Sequence, residues 1–193
     1  MFQVHFRSDT GTYSYLVGTD RGHEALVIDP TEDCLEAYTK LCDRLGFRLR
    51  YALETGVVAA SVKAGVRLED QWGCRRVVPC DAFRAGDLLR VGHEDRLQIV
   101  GLGFEVIGRP GHVQRTVSYS VQDRVFVGAG EVRDDPGLQV LPVDTLVYRS
   151  IPRRGTNLGL LGLELGSSSR ERARWRAAQR LGAPVLHPLH GLA

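Results

Sequence analysis

The stretch Ala25-Leu26-Val27-Ile28-Asp29-Pro30-Thr31 changes structure within seven residues. Ala25–Ile28 is a short apolar run that reads as a buried strand, and Asp29-Pro30 ends it. Thr31 then stands as an N-cap, with Glu32 and Asp33 in the first turn, where the helix dipole favours acids. Cys34, Leu35, Tyr38, Leu41, Cys42 and Leu45 recur on one helical face, and Gly46 supplies the stop. Leu49–Leu53 is the next strand, and a second helix is expected from Val58 to about Gln71.

Upstream, Phe2–Arg7 alternates as a strand, Ser8-Asp9-Thr10-Gly11 has turn chemistry, and Thr12–Val17 alternates again. Downstream, strands are expected at Arg76–Val78, Leu88–Val91, Arg96–Val100, Phe104–Gly108, Thr116–Val121 and Arg124–Val127. A strand-rich core with an occasional helix implies an α/β (α+β) protein of stacked sheets faced by helices. Ser167–Ser169 precede a last helix to about Leu181, ended by Gly182-Ala183-Pro184. No repeat or linker interrupts residues 1–193, so one domain is expected. The 193 residues suffice for a full core. With 43% apolar and 25% charged residues, collagen-like, disordered and membrane classes are excluded. Lys+Arg 25 against Asp+Glu 23 gives no basic field for nucleic acid or an anionic membrane. The N-terminus lacks the apolar run of a signal peptide. Cys34, Cys42, Cys74 and Cys80 show no zinc or redox spacing, so a cytoplasmic chain with core thiols is expected.

Several segments together resemble the metallo-β-lactamase superfamily, closest to its persulfide dioxygenase and glyoxalase II branch. They are Thr12–Gly18, Ala25–Pro30, Leu49–Thr55, Arg109-Pro110-Gly111-His112, Val125–Gly128 and Leu141–Tyr148, and Ser169–Pro184 is similar to the terminal helix of the dioxygenases. The resemblance implies a four-layer αβ/βα sandwich and a His-x-His-x-Asp-His metal-binding run after Thr55. Here that run reads Gly56-Val57-Val58-Ala59-Ala60-Ser61, so Gly56, Val58, Ala60 and Ser61 replace its ligands. His112 keeps the Pro-Gly-His ligand, Ala129 replaces an Asp, and Arg149-Ser150-Ile151 replaces a late Pro-x-His. Of the dioxygenase iron triad, two His and one Asp, only His112 is matched. The loop from Val132 to Val140 is shorter than the stretch that helps active dioxygenases hold glutathione. Gln114 and Arg115 follow His112 where the family has a small residue; Arg115 would offer a cation where the metal charge was.

The reading that follows is a non-catalytic binding or regulatory protein, without metal or cofactor, that uses the former active-site cleft. His112, Arg115, Glu131, Gly56, Val58 and Ser61 would line it. The occupant would be a small ligand or a protein partner, and a homodimer is a further expectation. The alternative is a metal-independent hydrolase or sulfur transferase using His112 or Cys80. For His112 the plainer reading is a hydrogen-bonded turn histidine, and for Cys80 an inert buried thiol. A surviving non-haem iron oxygenase is the third reading, disfavoured by the lost ligands. His187 and His190 read as an exposed tail. Arg170, Arg172, Arg174, Arg176 and Arg180 read as a solvated helix face, and Leu158–Leu165 as an exposed apolar segment suited to an oligomer contact.

Overall fold

Residues buried on both faces make near-continuous apolar strands, and those of this chain build two six-stranded sheets packed face to face. The computed structural model describes residues 1–20, 22–56, 59–80, 88–108, 116–128, 132, 135–153 and 155–164. The first sheet runs β1 (Phe2–Arg7), β2 (Tyr13–Thr19), β3 (Glu24–Ile28), β4 (Arg48–Leu53), β5 (Arg75–Pro79) and β6 (Leu89–Val91) in sequential order. Its first three strands pair antiparallel and the rest parallel. Helix α1 (Leu35–Leu45) connects β3 to β4, and α2 (Ala59–Trp72) connects β4 to β5. The second sheet runs β7 (Arg96–Ile99), β8 (Leu102–Gly108), β9 (Val117–Val121), β10 (Arg124–Val127), β11 (Leu146–Arg153) and β12 (Thr156–Leu160), again sequential. Only β10 and β11 are parallel neighbours there.

Strand alternation divides the buried residues between faces. Tyr15, Val17, Leu26 and Ile28 point between the sheets and meet Phe104, Val106, Tyr119 and Phe126. Leu16, Ala25, Val27 and Ala52 point outward and pack on Leu35, Tyr38 and Cys42 of α1 and on Ala64 and Leu68 of α2. On the outer face of the second sheet, Val125, Val127 and Val147 pack with Leu138 of α3 (Pro136–Gln139) and Leu161 of α4 (Leu161–Glu164). The expected sandwich is therefore present. Its fourth layer consists, among the described residues, of these two short helices, and the expected Ser169–Leu181 helix lies outside them.

Three expectations are refined by the structure. Thr31 stands at the N-cap position with Glu32 and Asp33 in the first turn, as expected, but that turn is a 3-10 turn over Glu32–Cys34 leading into α1, and the Thr31 side chain makes no capping bond. Its hydroxyl lies 3.3 Å from the Tyr38 phenol, a tertiary partner that displaces the local cap. Leu158–Leu160 close the edge strand β12 and Leu161–Glu164 form α4, with Leu161 buried and Leu158 and Leu160 half-buried. The 132–140 loop contains α3, capped by Asp135, whose carboxylate accepts from the Gly137 amide at 3.0 Å. Cys34, Cys42 and Cys74 are buried and Cys80 is half-buried. Among the described residues no helix is long and apolar enough to cross a membrane.

Candidate functional site

Asp29 ends β3 with its backbone in the left-handed region, φ 49°, which aspartate tolerates better than most residues. Its amide donates to the Leu53 carbonyl at 2.8 Å, so the residue is locked between β3 and β4. The buried carboxylate accepts the Thr55 amide on Oδ1 at 2.7 Å and the Thr55 hydroxyl on Oδ2 at 2.7 Å. Oδ2 also accepts from the Ser150 hydroxyl on β11. One carboxylate thus ties the ends of β3 and β4 to the middle of β11, across both sheets. Burial pushes its pKa up, and the Ser150 and Thr55 hydrogen bonds oppose that shift.

Thr55 is fixed from the other side as well. The Val117 amide donates to its carbonyl at 2.8 Å, and Gly56 bridges Thr116. Gly128 follows β10 so closely that a Cβ there would lie 2.2 Å from Thr55 Oγ1, which explains a residue without a side chain. Beneath this knot, Glu54 is fully buried and its Oε1 accepts Arg76 Nε at 2.9 Å and Nη2 at 2.7 Å. Glu54 Oε2 is buried with no hydrogen-bond partner. Burial is the largest cause raising this carboxyl to about 7, and Arg76 opposes it.

Above the knot lies a pocket of about 180 Å³. Its described lining includes Asp29, Thr55 and Gly128 of the knot, Ser61 of α2, Ile151 of β11, and Thr10 and Thr12 of the β1–β2 loop. The exposed lining is mostly apolar because its hydroxyls are engaged with one another and with Asp29. Thr10 and Thr12 pair with Ser8 at 2.8 and 2.7 Å, Thr31 with Tyr38, and Thr55 and Ser150 with Asp29. Ser61 differs: its hydroxyl is buried and makes no hydrogen bond.

Among the residues predicted from sequence, Ser61 lines this pocket, and Gly56 adjoins it through Thr55. Cys80 closes β5, its amide bonded to the Val91 carbonyl at 2.9 Å, and is not part of the pocket lining. His112, Arg115, Glu131 and Val58 lie outside the described residues, as do His187 and His190. Sequence reasoning missed Asp29, Thr55 and Ser150 as site residues. The available signal was an Asp that ends a fully apolar strand, yet that pattern equally describes a turn.

This arrangement of two sheets and flanking helices is the metallo-β-lactamase fold. No protein-family profile matches the chain. Its sequence is related to mitochondrial persulfide dioxygenase ETHE1 of Mus musculus, 28% identical over 127 residues, or 65% of this chain and 50% of the relative. The chain spans about half the length of the curated relatives it matches. The crystal structure of ETHE1 from Myxococcus xanthus superposes with a TM-score of 0.74 at 25% identity, covering 98% of this chain and 96% of that one. A metallo-β-lactamase from Staphylococcus aureus matches with a TM-score of 0.69 at 17% identity, covering 95% of this chain and 68% of that one.

The fold family implies a metal, and the described donors at this pocket do not fit one. Of the positions where the resemblance places ligands, Ser61 and Ile151 come together on the pocket wall and Gly56 adjoins it. They offer a hydroxyl, an alkyl chain and no side chain, where a metal requires several imidazole, thiolate or carboxylate groups in one geometry. Asp29 is close by, but both its oxygens are already taken by protein donors. Among the described residues no three His, Cys, Asp or Glu side chains are grouped so as to hold an ion.

Proposed function

We propose that the chain is a non-catalytic binding protein on a metallo-β-lactamase fold, and that its ligand occupies the pocket over Asp29. One observation carries this reading. Six of the seven positions expected to ligate a metal are replaced and only His112 is kept, yet a pocket of about 180 Å³ lined by two of the replaced positions, Ser61 and Ile151, lies over a hydrogen-bonded base. A cleft kept open after its ligands are gone is consistent with retained binding. Function belongs to the site and not to the fold, so the activity in the relatives' name does not transfer with the architecture.

The test is oxygen uptake with glutathione persulfide, together with thioester hydrolysis, each with and without added iron or zinc and with an intact persulfide dioxygenase as control. No turnover above background is expected. Robust turnover abolished by His112→Ala or Cys80→Ser would overturn the reading and establish an enzyme.

A further inference from the structure

We infer that helix α2 is a movable wall of the pocket over Asp29, seated on the buried Glu54 carboxyl and loosened as that carboxyl ionises. This rests on the binding reading above and names the regulation of that site. One face of α2 joins the pocket to the carboxyl. Ser61, in the first turn, lines the pocket, and Gly65, one turn on, covers Glu54. A Cβ at Gly65 would lie 2.6 Å from Glu54 Oε1 and 2.9 Å from Arg76 Nε. Glu69 Oε2, a further turn on, lies 3.9 Å from Arg76 Nη1. Thr55, next to Glu54 in the chain, lines the same pocket.

The loosening follows from how the carboxyl is satisfied. Arg76 directs both its bonds to Oε1, and Oε2 is buried without a partner. When Glu54 is ionised, the charge on Oε2 meets neither a hydrogen bond nor water, which costs more than burying a neutral group. A proton on Oε2 removes that charge and leaves the Oε1 bonds in place. Lifting α2 relieves it in another way, by admitting water. The helix is therefore seated while the proton is held and lifts more often once it is lost. The groups facing this carboxyl are Arg76 of β5, Glu69 of α2 and Asp29 of β3, and the Tyr119 phenol of β9 donates to the Glu54 carbonyl at 3.0 Å. Burial, aided by Asp29 and Glu69, outweighs Arg76 and holds the carboxyl at about 7.

The helix is also lightly anchored. Its described buried residues are Ser61, Ala64, Gly65 and Leu68, of which Leu68 alone is large and apolar. Helix α1 buries Leu35, Tyr38 and Cys42. Segments that bury little apolar surface open first, without unfolding the rest of the molecule. Ser61 travels with the helix, and its hydroxyl, buried and unbonded in the seated position, is uncovered when the helix lifts.

The test is amide hydrogen exchange of the full chain from about pH 5 to 8, read by mass spectrometry and corrected for intrinsic rates. Peptides of α2 should exchange about tenfold or more faster than those of β2 at every pH, because the helix opens without the sheet. Opening of α2 should rise with pH and level off above about 7. The ceiling is about 300-fold, set by a carboxyl at about 7 when covered and 4.5 when hydrated. Glu54→Gln should flatten the rise. If that variant does not fold, Glu69→Gln, at a half-exposed position, should move the rise to lower pH. The thiol introduced by Ser61→Cys should gain reactivity over the same range, beyond the growth of its thiolate fraction. Equal exchange of α2 and β2, a rise that survives Glu54→Gln or is unmoved by Glu69→Gln, or a thiol at 61 indifferent to pH would overturn the movable wall and spare the binding reading. Turnover in the assays above would remove the binding reading and leave these exchange results standing.

Discussion

Asp29 holds a left-handed backbone, a buried carboxyl and three hydrogen bonds in one place. Strain of this kind persists only where neighbours over-determine it, and it collects at functional sites. Alanine at this position would leave the buried Thr55 amide and the Thr55 and Ser150 hydroxyls without their acceptor. Asp29→Ala should therefore lower stability by about 2–3 kcal/mol, read as a shift in the urea midpoint. Glu54 makes a separate prediction. Its folded pKa, about 7, lies above its ordinary value of 4.5, with Arg76, Asp29 and Glu69 as the charges acting on it. The folded state holds this proton more tightly than the unfolded state does. Its contribution is therefore full below about pH 4.5 and is lost as pH rises through about 7. The urea midpoint should fall across that window, and Glu54→Gln should flatten the fall; a midpoint that rises there contradicts the assignment. Neither acid could be picked out by sequence reasoning. Asp29 is indistinguishable from a turn residue until Thr55 and Ser150 are brought to it. The buried state of Glu54 depends on an Arg 22 residues away.

At the scale of elements, strands with local signatures were legible and those held by distant partners were not. The β3 segment is apolar on both faces and declares itself, and Gly46 ends α1 in a left-handed C-cap as its position predicts. Strand β11 hides because Arg149, Ser150 and Pro152 interrupt its pattern. Arg149 is buried against Glu164 of α4, and Ser150 against Asp29. Pro152 falls beyond the pairing with β10, which ends at Arg149, and within the irregular stretch facing β12, where a missing amide is tolerated. Helix α2 gives the sharpest element-scale prediction. Glycine inside a helix usually costs about 1 kcal/mol against alanine. At Gly65, however, a Cβ would lie 2.6 Å from Glu54 Oε1 and 2.9 Å from Arg76 Nε. Gly65→Ala should therefore destabilise the protein, by thermal melt, and push α2 away from the ion pair. A raised Tm would show that the helix seats less closely than described.

For the whole molecule, both sheets contribute to one knot, with Asp29 and Thr55 from the first and Ser150 and Gly128 from the second. The sandwich and the lost ligand run were legible because segment order and residue identity survive in sequence. The pocket's polarity was not, since it depends on which hydroxyls find partners after folding. We propose that this knot supports a pocket in place of a metal centre. Elemental analysis of protein expressed with iron and zinc supplementation, and purified both aerobically and anaerobically, decides the matter. No stoichiometric iron or zinc is expected under either condition. One equivalent of metal per chain, lost in His112→Ala, would contradict it.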